Sequence, residues 1–190
     1  MGVRDGQFFI IGTIVIAGLI MGIVSISTGV STSFTTDSIT KAIFDDSVNE
    51  FPRAVSRIAH TADTSEGVER DIRRYIDFQK YIALQHGVTL KTNFLIGLPI
   101  PNGYNVTFGN FMDGTMQDVS ITLDNTTRDL GDVPAGNITT LSFAPDSEVF
   151  QVRLAYRNDT STFYTSTKIT SYISLRARSG STVWRETRVN

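Results

Sequence analysis

The chain has 190 residues, a net charge of -2 and no cysteine. That balance lacks the basic excess of a dedicated nucleic-acid binder, and the missing cysteines exclude disulfides, thiolate metal sites and a cysteine nucleophile. Mean hydropathy is near zero at -0.02, but a strongly apolar start is offset by a polar remainder.

After the short polar head Met1–Gly6, the segment from Phe8 to Ser27 carries no charged side chain. At about 1.5 Å per residue, roughly 20 helical residues span a hydrocarbon core of about 30 Å. The run outlasts the h-region of about 7–15 residues in a removable secretory signal, so residues 1–27 are expected to be a leader and retained transmembrane helix. The small residues of Ser25–Ser33 leave a peptidase cut open as the alternative. Gly18 and Gly22, with Ala17, make a small-residue face on which helices could pack closely, although glycine is also simply common in membrane helices. Arg4 is the only early cation. Positive-inside counting therefore puts the N-terminus in the cytoplasm and the C-terminal body outside, a single-pass protein in contact with membrane lipid.

Residues 28–87 read as a helical stalk of two amphipathic helices. Ile39, Ala42, Ile43, Ser47, Val48, Phe51, Val55, Ile58 and Ala62 recur at helical spacing from Ser38 to about Ala62. Asp37 is the expected N-cap, and Pro52 predicts a kink or break near Glu50–Phe51. Asp63 with Glu66 reads as a capping box opening a second helix. Its stripe is Val68, Ile72, Tyr75, Ile76, Ile82 and Ala83, and Gly87 is its stop.

From residue 88 to 190 the period becomes alternating. Strands are expected at Val88–Ile96, Tyr104–Phe111, Gln117–Leu123, Asn137–Phe143, Val149–Tyr156, Tyr164–Arg178 (bent near Ile169) and Thr182–Arg188. Gly, Pro and Asp turn signals separate them, which predicts an immunoglobulin-like antiparallel β-sandwich. The fold class expected overall is α+β: transmembrane helix, helical stalk, sandwich.

Four Asn-x-Thr sequons, at Asn105, Asn125, Asn137 and Asn158, all fall in the β region and mark candidate N-glycosylation sites. The competing reading is that Asn and Thr are simply turn and strand residues. His60 and His86 lie near helix ends without chelating neighbours, so no metal site is expected. Asp45, Asp46 and Glu50 read as a solvated helix face, and Asp124, Asp129 and Asp132 lack the spacing of a calcium loop. No phosphate loop or nucleophile motif appears, so neither an enzyme nor a cofactor is expected. Trp184, Phe150, Tyr156, Phe163, Tyr164 and Tyr172 could form a binding face, but strand aromatics are more often core.

The head Arg4-Asp5-Gly6-Gln7-Phe8-Phe9 resembles the leader of archaeal type IV pilin-like envelope proteins. The resemblance implies a prepilin peptidase as partner, cutting between Gly6 and Gln7. It further implies a helix that assembles with copies of itself while a β-rich head faces out. Ile11 stands five residues into the presumed mature chain, where many pilins carry Glu. The reading that follows is a membrane-anchored extracytoplasmic structural subunit, with self-assembly through the N-terminal helix and no nucleic-acid partner. The alternative is a permanently anchored module presenting its sandwich to an envelope or extracellular ligand.

Overall fold

The computed structural model describes residues 36–190 except 63, 158 and 167. The expectations for Gly6, Gln7, Gly18, Gly22 and the transmembrane run fall outside the described residues. The elements are α1 (Thr36–Thr61), α2 (Ser65–Gln85), β1 (Thr89–Ile100), β2 (Gly103–Phe111), β3 (Met116–Leu123), β4 (Thr126–Val133), β5 (Asn137–Phe143), β6 (Val149–Tyr156), β7 (Asp159–Ser166), β8 (Thr170–Ser179) and β9 (Thr182–Val189).

The protein is α+β. A five-stranded sheet in the order β5-β2-β1-β8-β9 faces a four-stranded sheet in the order β4-β3-β6-β7, with every neighbouring pair antiparallel. Strand alternation sorts β1 between two cores. Phe94 and Ile96 point toward the helices, and Leu95 points into the sandwich. A strand buried on both faces reads as a nearly unbroken apolar run, which is what Phe94-Leu-Ile-Gly-Leu98 is.

The helices do not stand off as a stalk. Phe44, Val48, Phe51 and Val55 of α1 and Ile72, Ile76 and Ala83 of α2 share one core with Phe94, Ile96, Ile173 and Leu175 of the five-stranded sheet. Residues 36–190 therefore make three layers in one compact unit. An amphipathic pair without its own partner would leave that apolar stripe in water, and the outer face of β1 and β8 supplies the cover. Ser47 Oγ donates to Gln79 Oε1 at 3.2 Å, and the Phe51 and Tyr75 rings lie 6.2 Å apart, so the two helices fold back antiparallel as expected.

Several local expectations are corrected. The helix α1 runs through Pro52 without a break, because Phe51 and Val55, on either side, are both buried in the core. Ala42 is exposed, and Phe44 takes its place on the buried face. The N-cap of α2 is Thr64, whose Oγ1 accepts from the Gly67 amide at 3.1 Å, in place of the Asp63–Glu66 box. Gly87 is the expected stop: at φ 70° it donates to Leu84, while Val88 donates to Ala83, the paired bonds of a Schellman end.

The sandwich has nine strands where about seven are expected. One extra strand is β4, a charged and mostly exposed edge that has no alternating apolar signal. The other arises because the run expected as Tyr164–Arg178 is two strands in different sheets, β7 and β8.

Candidate functional surfaces

The four sequons fall in different environments. Asn105 on β2 is half-buried, and its Nδ2 donates to Ser65 Oγ at 3.2 Å while its Oδ1 accepts from Ser142 Oγ at 2.8 Å. It lines a cleft of about 300 Å³ beneath the α1–α2 turn, with Ala62, Val68, Leu98 and Ile169. Asn125 is exposed in the two-residue turn between Leu123 and Thr126, beside Asp124 at φ 51°. Asn137 is exposed at the start of edge strand β5. Asn158, between β6 and β7 in the sequence, lies outside the described residues. Among the described residues, Asn105, Asn125 and Asn137 lie apart on β2, the β3–β4 turn and β5.

The other residues singled out in the sequence separate into core and surface. Phe150 is buried with its ring 4.9 Å from that of Tyr104. Phe163 stacks on Tyr172 at 5.7 Å. Trp184 packs against the helix-side core, with Lys41 Nζ 5.8 Å from its ring centre. Tyr156 is half-buried and only Tyr164 is fully at the surface. His60 Nδ1 lies 2.6 Å from the Ser56 carbonyl, a contact within α1. Glu50 pairs with Arg53 at 2.6 Å, one turn away on the exposed face. Asp124 accepts from the Gln151 amide and Asp132 from the Asp118 amide, so the two act on separate backbone groups. Among the described residues no three His, Asp or Glu side chains converge as a metal site. Among them, too, no helix is long and apolar enough to cross a membrane.

Two surfaces carry features that hydrophobic periodicity passes over. On α2, Phe78, Tyr81 and Leu84 are 58–65% exposed and lie on one side of the helix, away from the buried stripe. The signal for them is that α2 has more large apolar residues than one buried face can hold. On the inner face of β8 and β9, Arg176 stands directly opposite Arg185. That pairing depends on the register of strands that only the fold brings side by side.

Tyrosine hydroxyls are the titrating groups the fold perturbs most. Burial, reinforced by the Glu50 carboxylate, pushes Tyr75 up to about 12; Gln79 works against it from nearby, but outside hydrogen-bond geometry. Burial and the neighbouring Asp159, whose Oδ2 accepts from the phenol at 3.0 Å, push Tyr156 up to about 12 as well. Burial also raises Tyr104, whose hydroxyl donates to the Lys168 carbonyl at 2.9 Å. All three are neutral at physiological pH, and of the three hydroxyls those of Tyr104 and Tyr156 make hydrogen bonds.

No protein-family model, curated protein or solved structure matches this chain.

Proposed function

We propose that this protein is a membrane-anchored, extracytoplasmic structural subunit of the archaeal type IV pilin-like kind, assembling through its N-terminal apolar helix. One observation carries the reading. The charge-free run Phe8–Ser27 is followed, after a short Ser/Thr-rich stretch, by a helix whose buried face belongs to the core of the head. The run is long enough to enter a bilayer or to pack against copies of itself, and the head that follows folds around a core of its own. The sandwich reading is extended in the same sense. Strands β1, β2 and β5 against β4, β3, β6 and β7 follow an immunoglobulin-type order, to which the β8–β9 hairpin is added beside β1. In this reading the protein is not an enzyme and takes no cofactor. Exposed Asn125 and Asn137 are its glycan acceptors.

The test is the N-terminal residue of the mature protein, read by mass spectrometry from membrane and shed-filament fractions. A start at Gln7, blocked by replacing Gly6 with a bulky residue, is expected. A start at Met1 or Gly2 would overturn the subunit reading and leave a permanently anchored binding module.

A further inference from the structure

The inner face of the five-stranded sheet is apolar over most of its area and polar at one end. Asn93, Ser174 and Thr187 lie side by side across β1, β8 and β9. Two residues further along, Lys91, Arg176 and Arg185 form a second transverse row. Both rows share the face of Leu95 and Tyr172, which pack into the sandwich. The four-stranded sheet does not cover β9, whose residues on this side, Val183, Arg185, Thr187 and Val189, are exposed while the alternate ones are half-buried. The hairpin therefore overhangs. Between the overhang and the β6–β7 hairpin lies a cleft of about 410 Å³, with Tyr156, Asp159 and Met112 on its other walls.

The two arginines of this cleft, Arg176 and Arg185, are not paired with its two carboxylates, Asp159 and Glu186. Lys91 is matched by Asp113. Among the described residues no carboxylate lies within ion-pair distance of Arg176 or Arg185, and the Arg176 Nε is buried with no partner. Like charges directly opposite on paired strands are destabilising, so the Arg176–Arg185 pair calls for an anion. Beside it, Asn93 is 0% exposed, and neither its Oδ1 nor its Nδ2 makes a hydrogen bond. Its neighbour on the cleft wall, the Tyr156 hydroxyl, points to Asp159. Asp159 is the one carboxylate facing the cleft from the opposite hairpin, and it is occupied by the Tyr156 hydroxyl and the Thr160 amide. Glu186 also lines the cleft, opposite Leu175, and its carboxylate lies 3.9 Å from Arg188.

We propose that this cleft binds a carboxylate-bearing saccharide, the carboxylate held between Arg176 and Arg185 and the sugar hydroxyls set against Ser174, Thr187 and Tyr156. Guanidinium forks match a planar carboxylate in two-point geometry. The adjoining hydroxyl row offers donors and acceptors at the spacing of neighbouring strands, which suits a polyhydroxylated ring. The apolar lining is confined to Met112 and Leu175, too little to seat the side chains of an acidic peptide. The site stands whether or not the chain polymerises.

The experiment titrates the detergent-solubilised full chain with cellobiouronic acid, neutral cellobiose and tetraglutamate, followed by ligand-observed NMR. The acidic disaccharide is expected to bind saturably and at least about tenfold more tightly than the other two, with affinity falling as salt is raised. Arg185→Gln and Arg176→Gln should each weaken it by at least about tenfold. Arg153→Gln, on the outer face of β6, should leave it unchanged. Removing one of two opposed cations should leave the melting temperature unchanged or raised. If Arg176→Gln fails to fold, Arg185→Gln, at an exposed position, carries the test. Absent saturable binding, equal affinity for cellobiose, tighter binding of tetraglutamate, or full binding by a folded Arg185→Gln variant would each overturn the proposal.

Discussion

Gly109 on β2 lies directly opposite Phe94 on β1, and a Cβ at Gly109 would come within 2.3 Å of the Phe94 ring. The missing side chain is what lets that ring lie across β2 and reach Phe111, 6.1 Å away, and Phe51 of α1, 5.9 Å away. Gly97 makes similar room for Tyr104, its diagonal neighbour on β2, on the sandwich side. Gly109→Ala is therefore expected to destabilise the head by about 1–3 kcal/mol, as overpacking does. Phe94→Leu in the same chain should recover part of the loss, since contacting residues couple. Denaturant midpoints of the two single variants and the double variant check this, and strict additivity would refute it.

Phe51 is 0% exposed at the centre of the layer between helices and sheet. Phe51→Ala should cost about 3–5 kcal/mol, the range for emptying a buried aromatic site. Because the helices share their core with β1 and β8, helical and sheet signals should melt together at the lowered midpoint. Two separated transitions, with the sheet signal unmoved, would restore an independent stalk. Phe78→Ala, at a position 58% exposed, serves as the control and should stay within about 0.5 kcal/mol.

The sequons should not be used equally. Asn105 has its amide nitrogen on Ser65 and its oxygen on Ser142 inside a cleft, whereas Asn125 and Asn137 face solvent. Glycopeptide mapping of protein from the native cell is expected to find glycan mass at Asn125 and Asn137 and a bare Asn105. Asn105→Gln should cost about 1 kcal/mol from disturbed hydrogen bonds, and Asn125→Gln nothing measurable. A fully occupied Asn105 would contradict this account.

How far the sequence discloses these features depends on whether each is local. The Gly87 stop, the apolar face of α2 and the hairpin at Ser179–Ser181 are written in spacing and turn chemistry, and they stand where periodicity puts them. The Thr64 cap is local too, but Asp63 beside it offers an equally good side chain, so composition alone cannot choose. Edge strand β4 turns only Leu130 and Val133 toward the core and keeps its charges in water, so it reads as a loop. The division between β7 and β8 is hidden because both halves are rich in Thr, Ser and Tyr, and only their separate sheets distinguish them. The Arg176–Arg185 opposition and the unpaired Asn93 are further from view still. They arise from registers between strands that the sequence separates by a hairpin or by most of the sandwich.

Alkaline pH should unfold the head in a defined window. Tyr75 and Tyr156 are both raised to about 12, chiefly by burial, against about 10 for an unfolded tyrosine. A phenol whose folded value is raised binds its proton more tightly in the native state. Its contribution is thus fully present below about pH 10 and is lost as pH climbs from about 10 to 12. Urea midpoints should accordingly be flat from neutral pH to about 10 and then fall, in step with the rise of phenolate absorbance. Tyr75→Phe and Tyr156→Phe should each flatten part of that decline. The double variant should keep a residual slope from Tyr104, which burial also raises. An alkaline decline of undiminished size in the double variant would show that other groups govern it.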